Sequence, residues 1–277
     1  MGGLNMDTIR PRKLLNYYGA KTWLMEDILK FVEPLYNNKQ LITFVDVFGG
    51  SGTVLLNLPL KWHINKVYND LDQRMVNLLN DLRDDYKRNL LFERIYYTIP
   101  SRNMFNKIKE NNLDDSFDIL YRIFYSFNHN QNSYGINVNT YRPPFNSQFK
   151  NLSDNWQYLR NWNIENLDYK ELIKRYDSNR TFFYLDPPYL TGGENYNFKF
   201  TTKDFLEMHD LLAHIKGYWL MNESDKDYQD IVNIFGDPVF ENTYKNNSFH
   251  NRNALLEKNK NSKRIEYYWS NFKPPFL

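Results

Sequence analysis

The chain has 277 residues, of which 42% are hydrophobic and 17% aromatic, so it can form one large α/β domain with an insertion or two small domains. With 35 basic and 33 acidic residues the net charge is +2, which neither requires nor excludes a nucleic acid partner because binding depends on a local basic face. The absence of cysteine excludes disulfides, zinc–thiolate sites and cysteine nucleophiles.

The first predicted helix follows a tight turn at Gly19. From Lys21 to Phe31, apolar residues recur at the spacing of one helical face. Tyr17 and Lys21 flank the turn that leads into this helix. Taken alone, the pair is more typical of a surface lysine beside a packing tyrosine.

A strand, a glycine-rich turn and a helix start are predicted between residues 41 and 56. Asp46 ends the strand, and Phe48, Gly50 and Gly52 lie in the turn. Glycines let a backbone approach a ligand closely, and the spacing is neither GxGxxG nor a P-loop, which disfavours phosphate binding. Asp46 and Phe48 instead indicate a site for an amino acid moiety or a cation. An ordinary strand-to-helix turn is the alternative.

A second short apolar strand, residues 66–68, is followed by Asn69 and Asp70. In nucleotide-binding folds, the acidic residue that ends the second strand accepts hydrogen bonds from ribose hydroxyls, and Asp70 has that position. Asp72 is its rival, and helix capping is the commoner use of both residues. A helical pattern then runs from residue 74 to 97.

The α/β pattern is interrupted from residue 107 to 162. This segment is rich in amides, aromatics and scattered bases, and such side chains can contact base edges and phosphates. An irregular loop whose asparagine content mirrors that of the whole chain is the alternative.

The most informative stretch is the apolar run Phe182–Leu185, which ends in Asp186-Pro187-Pro188-Tyr189. A continuous apolar run predicts a strand buried on both faces. The prolines end it and hold Asp186 in extended geometry at the carboxyl end of the strand, where ligands bind in open α/β sheets. A simple strand terminator is the alternative.

The α/β pattern resumes on both sides of this strand, with a glycine-containing loop after Tyr189 that could close over a ligand. The remaining predictions are strands at 163–168, 218–221, 239–244 and 264–269, and helices at 169–176, 204–214 and 228–235.

Together these motifs resemble the Dam-type, alpha-group DNA adenine methyltransferases. Residues 17–21 match that family's N-terminal cofactor motif, residues 46–52 its glycine-rich motif, Asn69-Asp70 its acidic motif and residues 186–189 its catalytic tetrapeptide. The order of the motifs is also the family's, and the resemblance spans residues 14 to 270.

The resemblance implies an α/β fold with a Rossmann-like, S-adenosylmethionine-dependent methyltransferase sheet. Residues 8–98 and 160–277 would form the catalytic domain, and residues 99–159 an inserted target-recognition domain. The implied reaction is site-specific methyl transfer from S-adenosylmethionine to the 6-amino nitrogen of adenine in double-stranded DNA, without a metal. The implied cofactor-binding residues are Tyr17, Lys21, Asp46, Phe48, Gly50, Gly52, Asp70 and Asp186.

The catalytic residues implied are Asp186, Pro187 and Tyr189. The Asp186 carboxylate and the Pro187 carbonyl can accept both N–H bonds of the amine, and Tyr189 would stack on the flipped base. The candidate DNA contacts are Arg122, Asn128, Asn130 and Arg142. The insertion departs from the family's Arg-rich, Gly-Phe-Asn stretch, so no target sequence can be carried over.

Several alternatives and partners accompany this interpretation. Methylation of the cytosine 4-amino group and a non-catalytic DNA-binding protein on the same fold remain open, whereas cytosine carbon-5 methylation is excluded because it needs a cysteine nucleophile. Double-stranded DNA is the expected partner, and a cognate restriction enzyme is a candidate. No apolar run approaches ~20 residues, so we expect a soluble, cytoplasmic protein without membrane contact.

Overall fold

The structure is a computed structural model that describes residues 11–16, 22–111, 115–126, 131–135, 144–190, 200–245 and 263–276. Its strands are β1 (Thr43–Asp46), β2 (Asn65–Asn69), β3 (Trp162–Glu165), β4 (Thr181–Leu185), β5 (Tyr218–Ser224), β6 (Phe240–Lys245) and β7 (Lys263–Ser270). Its helices are α1 (Met25–Asn37), α2 (Thr53–Asn57), α3 (Gln73–Arg83), α4 (Asp85–Tyr97), α5 (Arg102–Asn111), α6 (Ser116–Tyr125), α7 (Pro144–Asn155), α8 (Tyr169–Tyr176), α9 (Thr202–Leu212) and α10 (Tyr228–Phe235). Short 3-10 helices are formed by Thr22–Leu24 and Trp156–Asn161.

The strands form one seven-stranded sheet in the order β3-β2-β1-β4-β5-β7-β6. The first five strands in this order are parallel, and β7 runs antiparallel to both β5 and β6. The strand order reverses between β1 and β4, and a crevice at such a reversal is where open α/β sheets bind ligands. The predicted Rossmann-like fold is therefore confirmed.

Alternate side chains of the central strands face two separate hydrophobic cores. On one face Phe44, Phe182 and Tyr184 pack with the apolar sides of α1 and α3. On the other face Val45 and Phe183 pack with the helices α8, α9 and α10. All five residues of β4 are buried, as its continuous apolar sequence predicts.

One expectation about a helix needs correction, and one alternative considered for the sequence is only partly met. The pattern from residue 74 to 97 forms two helices, because Asp84 is extended and its side chain accepts a hydrogen bond from the Lys87 backbone N–H at the start of α4. Much of the described part of the segment from 107 to 162 is helical, and every residue of α6 is buried. Residues 131–135 are not helical and form bends and an isolated bridge between Ser126 and Tyr134. The aromatic and aliphatic residues of α6 therefore belong to the same hydrophobic core as Phe44, Phe182 and the apolar sides of α1 and α3.

Candidate active site

Three carboxylates lie at the carboxyl ends of adjacent strands. Asp46, the last residue of β1, is paired in register with Tyr68 on β2 and with Tyr184 on β4. Asp70 and Asp186 each follow these partners by two residues, so they lie on either side of Asp46 at one edge of the sheet. Asp46 is 1% exposed, whereas Asp70 and Asp186 are half-buried. The structure thus brings together three residues that the sequence separates widely.

The carboxylate of Asp70 is held by backbone N–H groups. Its Oδ2 accepts from the Gly50 N–H at 2.7 Å, and its Oδ1 accepts from the Asp72 N–H at 2.8 Å. Burial raises the pKa of Asp70 to about 6, although these two hydrogen bonds favour the ionised form. Asp70 therefore links the second strand directly to the glycine-rich turn.

Asp72, the rival of Asp70, has a structural role. Its side chain accepts from the Arg74 backbone N–H at the start of α3 and forms a salt bridge with the Arg74 guanidinium at 2.7 Å. The capping function considered for both residues is thus performed by Asp72, which leaves Asp70 at the turn.

The glycines of the turn are required by what packs behind them. Gly52 has a φ of +68°, and a Cβ added there would lie 2.7 Å from Cζ3 of Trp162. A Cβ on Gly49 would lie 2.4 Å from the buried ring of Tyr68. The Tyr68 hydroxyl donates to the Gly50 carbonyl at 2.7 Å. The two rings, which stack on each other, therefore fix the path of the turn.

Asn69 connects the ends of three strands, a role that the sequence did not reveal. Its amide nitrogen donates to the carbonyls of Val47 at 3.0 Å and Leu167 at 3.1 Å, and its Oδ1 accepts from the Leu167 N–H at 2.8 Å. The side chain is 1% exposed. The sequence signal for this role was a polar amide between an apolar strand and Asp70. A buried amide must be hydrogen-bonded, and its nitrogen and oxygen together can satisfy three backbone groups.

Phe48 packs with a different set of aromatic rings from the Tyr68 and Trp162 rings that contact the glycines of the turn. Its half-buried ring approaches Tyr169 on α8, with ring centroids 6.0 Å apart, and makes an edge contact with Phe200 at 5.6 Å. Phe48, Tyr169 and Phe200 thus form an aromatic cluster at the turn that follows Asp46.

The tetrapeptide Asp186-Pro187-Pro188-Tyr189 continues from β4 without forming a helix or strand. Pro187 is buried, and the Tyr189 hydroxyl accepts a hydrogen bond from Nη2 of Arg264 at 3.0 Å. Arg264 comes from β7, near the other end of the chain, and nothing in its local sequence indicated this contact. The sheet therefore contributes a cation as well as carboxylates to this edge.

Several predicted site residues lie outside the described residues, namely Tyr17, Lys21, Asn128, Asn130 and Arg142. Arg122 is described and is 9% exposed on α6, where its Nε donates to the carbonyl of Gln131 at 3.0 Å. This placement favours a structural role for Arg122, next to residues 131–135, over a direct DNA contact.

Two further findings concern the described ranges only. Within them, no three His, Asp or Glu side chains are grouped so that they could hold a metal ion. None of the helices in the same ranges has the length and apolar character needed to cross a membrane.

Comparison with known proteins places these residues in a family. Residues 17–258 match the family model of D12 class N6 adenine-specific DNA methyltransferases. The chain is also 26% identical over 237 residues to the type II methyltransferase M.MjaIII of Methanocaldococcus jannaschii, an alignment that covers 75% of this chain and 79% of the relative. The matched region includes the glycine-rich turn, Asp70 and residues 186–189. Since the family model spans most of the chain, the protein belongs to the D12 class of DNA methyltransferases, which methylate adenine at N6.

Proposed function

We propose that Asp46, Asp70 and the glycine-rich turn bind S-adenosylmethionine, and that Asp186 and Tyr189 present a flipped adenine from double-stranded DNA to it. The observation that carries this proposal is the register of β1, which places Asp46 between Asp70 and Asp186 at the switch point of the sheet. When bound, S-adenosylmethionine supplies a methyl group on a positively charged sulfur.

The chemistry of the carboxylates fits such a ligand. Asp46 is a buried carboxylate, which attracts a cationic group. Asp70 is preorganised by two backbone hydrogen bonds, and a carboxylate has lone pairs for further donors such as ribose hydroxyls. Gly50 presents its backbone to Asp70 without a side chain. The Asp70 carboxylate is therefore held in place before a nucleoside binds.

Asp186 is suited to activate the adenine amine. This amine is a poor nucleophile because its lone pair is delocalised into the ring. The Asp186 carboxylate and the Pro187 carbonyl accept its two N–H bonds and favour a pyramidal nitrogen whose lone pair faces the methyl group. Asp186 follows a fully buried strand, so its backbone position is fixed before the base arrives.

The first experiment tests the reaction itself. Plasmid DNA incubated with the purified protein and S-adenosylmethionine should acquire N6-methyladenine in one recurring sequence, mapped at base resolution. DNA incubated without the methyl donor is the control. The appearance of 4-methylcytosine, or the absence of any modified base, would contradict the proposal.

We also propose that residues 99–159 read the target sequence. The chain leaves β2 at the edge that carries Asp70, passes through α3 and α4, and forms α5, α6 and α7 before it returns at β3. Asn128, Asn130 and Arg142 are the proposed DNA contacts.

The same mapping experiment separates base contacts from phosphate contacts. Replacing a base-reading residue, for example Asn128→Ala, should relax one position of the target, whereas losing a phosphate contact should weaken methylation of all sequences alike. If alanine at all three positions left the target sequence and the affinity for DNA unchanged, the assignment would be wrong.

A restriction enzyme that cuts the unmethylated target is a proposed partner, since the relative is named a type II methyltransferase.

Asp70→Ala should weaken binding of S-adenosylmethionine by about 1–3 kcal/mol, because hydrogen bonds to a charged group are lost from a half-buried site. Isothermal titration calorimetry measures this change directly. Exposed Asp230 on α10 provides a matched control, and Asp230→Ala should bind with the wild-type affinity. An unchanged affinity of Asp70→Ala would remove Asp70 from the site.

The pH dependence of binding gives a second test of Asp70. Ribose hydroxyls donate to the ionised carboxylate, so affinity should be complete above the pKa of about 6 and should fall as the pH drops below it. Asp70→Asn cannot titrate there, so its weaker affinity should lack this acid limb. A wild-type affinity that stays level as the pH falls through about 6 would contradict the role of Asp70.

A further inference from the structure

A cation on the last strand contacts the tyrosine of the catalytic tetrapeptide. Nη2 of Arg264 lies 3.0 Å from the Tyr189 hydroxyl and donates to it. Tyr189 lies in a stretch without helix or strand, so regular backbone hydrogen bonding does not fix its position. A side-chain contact from β7 therefore holds the phenol end of its ring.

A chain of buried polar groups holds Arg264 itself. Its Nε donates to Oε1 of Glu266 at 2.7 Å, and Glu266 is 0% exposed. Oε2 of Glu266 accepts from the amide of Asn222 at 3.1 Å. The Tyr184 hydroxyl donates to Oδ1 of Asn222 at 2.6 Å. We call these four residues, Tyr184, Asn222, Glu266 and Arg264, the polar chain.

The polar chain begins and ends beside Asp186. Tyr184 precedes Asp186 by two residues on β4, and Arg264 contacts Tyr189 three residues after it. In between, the chain crosses β5 and β7. The Arg264 guanidinium also interacts electrostatically with Asp186. The polar chain thus connects two positions, Tyr184 and Tyr189, that flank Asp186 in the sequence.

The energetics favour a positioning role over a stabilising one. A buried ion pair is weak evidence for stability, since desolvation offsets much of its attraction, and apolar residues of similar volume are often as stable. The planar guanidinium can bond Glu266 through Nε and Tyr189 through Nη2 at the same time, which a lysine ammonium cannot reproduce. The guanidinium also lies over the Trp23 ring, 5.0 Å from its centroid, and this contact further limits its movement.

We infer that Arg264 is a positioning residue for the target base, because it fixes the ring of Tyr189 in the orientation that receives the flipped adenine. This inference rests on the proposed stacking role of Tyr189. An anchored ring has less rotamer freedom to lose when the base stacks on it, so capture of the base is more favourable.

The test is a double-mutant cycle between Arg264→Lys and Tyr189→Phe. Lysine keeps the positive charge beside buried Glu266, so the fold is preserved, and phenylalanine keeps the stacking ring while removing the hydroxyl. The readouts are the single-turnover methylation rate and the fluorescence of 2-aminopurine placed at the mapped target adenine, which increases when the base leaves the stack. Arg180→Lys is the matched control, because Arg180 donates to the Lys39 carbonyl next to the opposite end of β4.

Each single variant should reduce the rate and the 2-aminopurine signal about five- to tenfold, as expected for one lost hydrogen bond. The double variant should be no worse than either single variant, because both remove the same contact. Affinity for S-adenosylmethionine should stay at the wild-type value in all three, and Arg180→Lys should match the wild type throughout.

The inference would be overturned if the effects of the two substitutions added in the double variant. It would also be overturned if Arg264→Lys kept the wild-type 2-aminopurine signal and methylation rate. Neither result would contradict the proposed function as long as the wild-type protein methylates adenine. Loss of cofactor affinity in Arg264→Lys would also overturn it, because the defect would then lie in the cofactor site. A wild-type protein that methylates no adenine would overturn both proposals.

Discussion

Asp186→Ala is expected to lower the single-turnover rate of methylation at least a hundredfold. In the proposed mechanism, Asp186 accepts a hydrogen bond from the amine that strengthens as the nitrogen becomes pyramidal. Its loss should therefore affect the chemical step rather than binding. One preorganised hydrogen-bonding partner contributes roughly 2.7–4 kcal/mol to a transition state, by analogy with oxyanion holes, which corresponds to a factor of about 10²–10³ in rate. The measurement is a rapid-quench assay at saturating S-adenosylmethionine and DNA.

Binding measurements separate this effect from a general loss of structure. Affinity for DNA should largely survive in Asp186→Ala, because phosphate contacts supply most of it. Asp230→Ala removes an exposed carboxylate on α10 and should methylate at the wild-type rate. A rate for Asp186→Ala within a few-fold of the wild type would refute the proposed mechanism.

Gly52→Ala should both destabilise the protein and impair the proposed cofactor site. A left-handed backbone costs a non-glycine residue about 1–2 kcal/mol, and overpacking against a buried ring costs about 1–3 kcal/mol more. The added Cβ would lie 2.7 Å from the Trp162 ring, which is 2% exposed and cannot move aside freely. We expect the free energy of unfolding to fall by about 2–5 kcal/mol. The affinity for S-adenosylmethionine should fall by about tenfold or more, because the turn carries the Gly50 N–H that holds Asp70.

Gly236 supplies the control for Gly52. Its φ is +74°, and an added Cβ would have no atom within 4 Å, so Gly236→Ala introduces backbone strain without a clash. Denaturant unfolding should show a loss of about 1–3 kcal/mol, and calorimetry should show the wild-type affinity for S-adenosylmethionine. If Gly52→Ala behaved in the same way, the contact with Trp162 would have no part in shaping the proposed cofactor site.

The strand ends of the site were predictable because local sequence determines them. An apolar run that stops at a carboxylate predicts both a buried strand and the edge at which its last side chain lies. This reasoning correctly located Asp46, Asp70 and Asp186 at one edge of the sheet. The helix over 228–235 was likewise predicted to the residue, since its apolar spacing is regular.

Contacts between distant parts of the chain were not predictable in this way. Trp162 packs against Gly52, and Arg264 bonds Tyr189, through the three-dimensional arrangement of the strands. No local pattern encodes either pair. The division between α3 and α4 was missed for a different reason, because Asp84 ends one helix and caps the next without a glycine or proline to mark the break.

The pairing of β1 with β4 also determines how the chain accommodates its insertion. Asp46 and Tyr184 are aligned in this pair although they lie about 140 positions apart, so a long loop closes when the two strands meet. The entropy of closing such a loop grows only logarithmically with length, and even a doubling adds about 0.6 kcal/mol. Segments between β2 and β3 can therefore lengthen, shorten or be exchanged at little thermodynamic cost, while the chemistry at the edge of the sheet is retained.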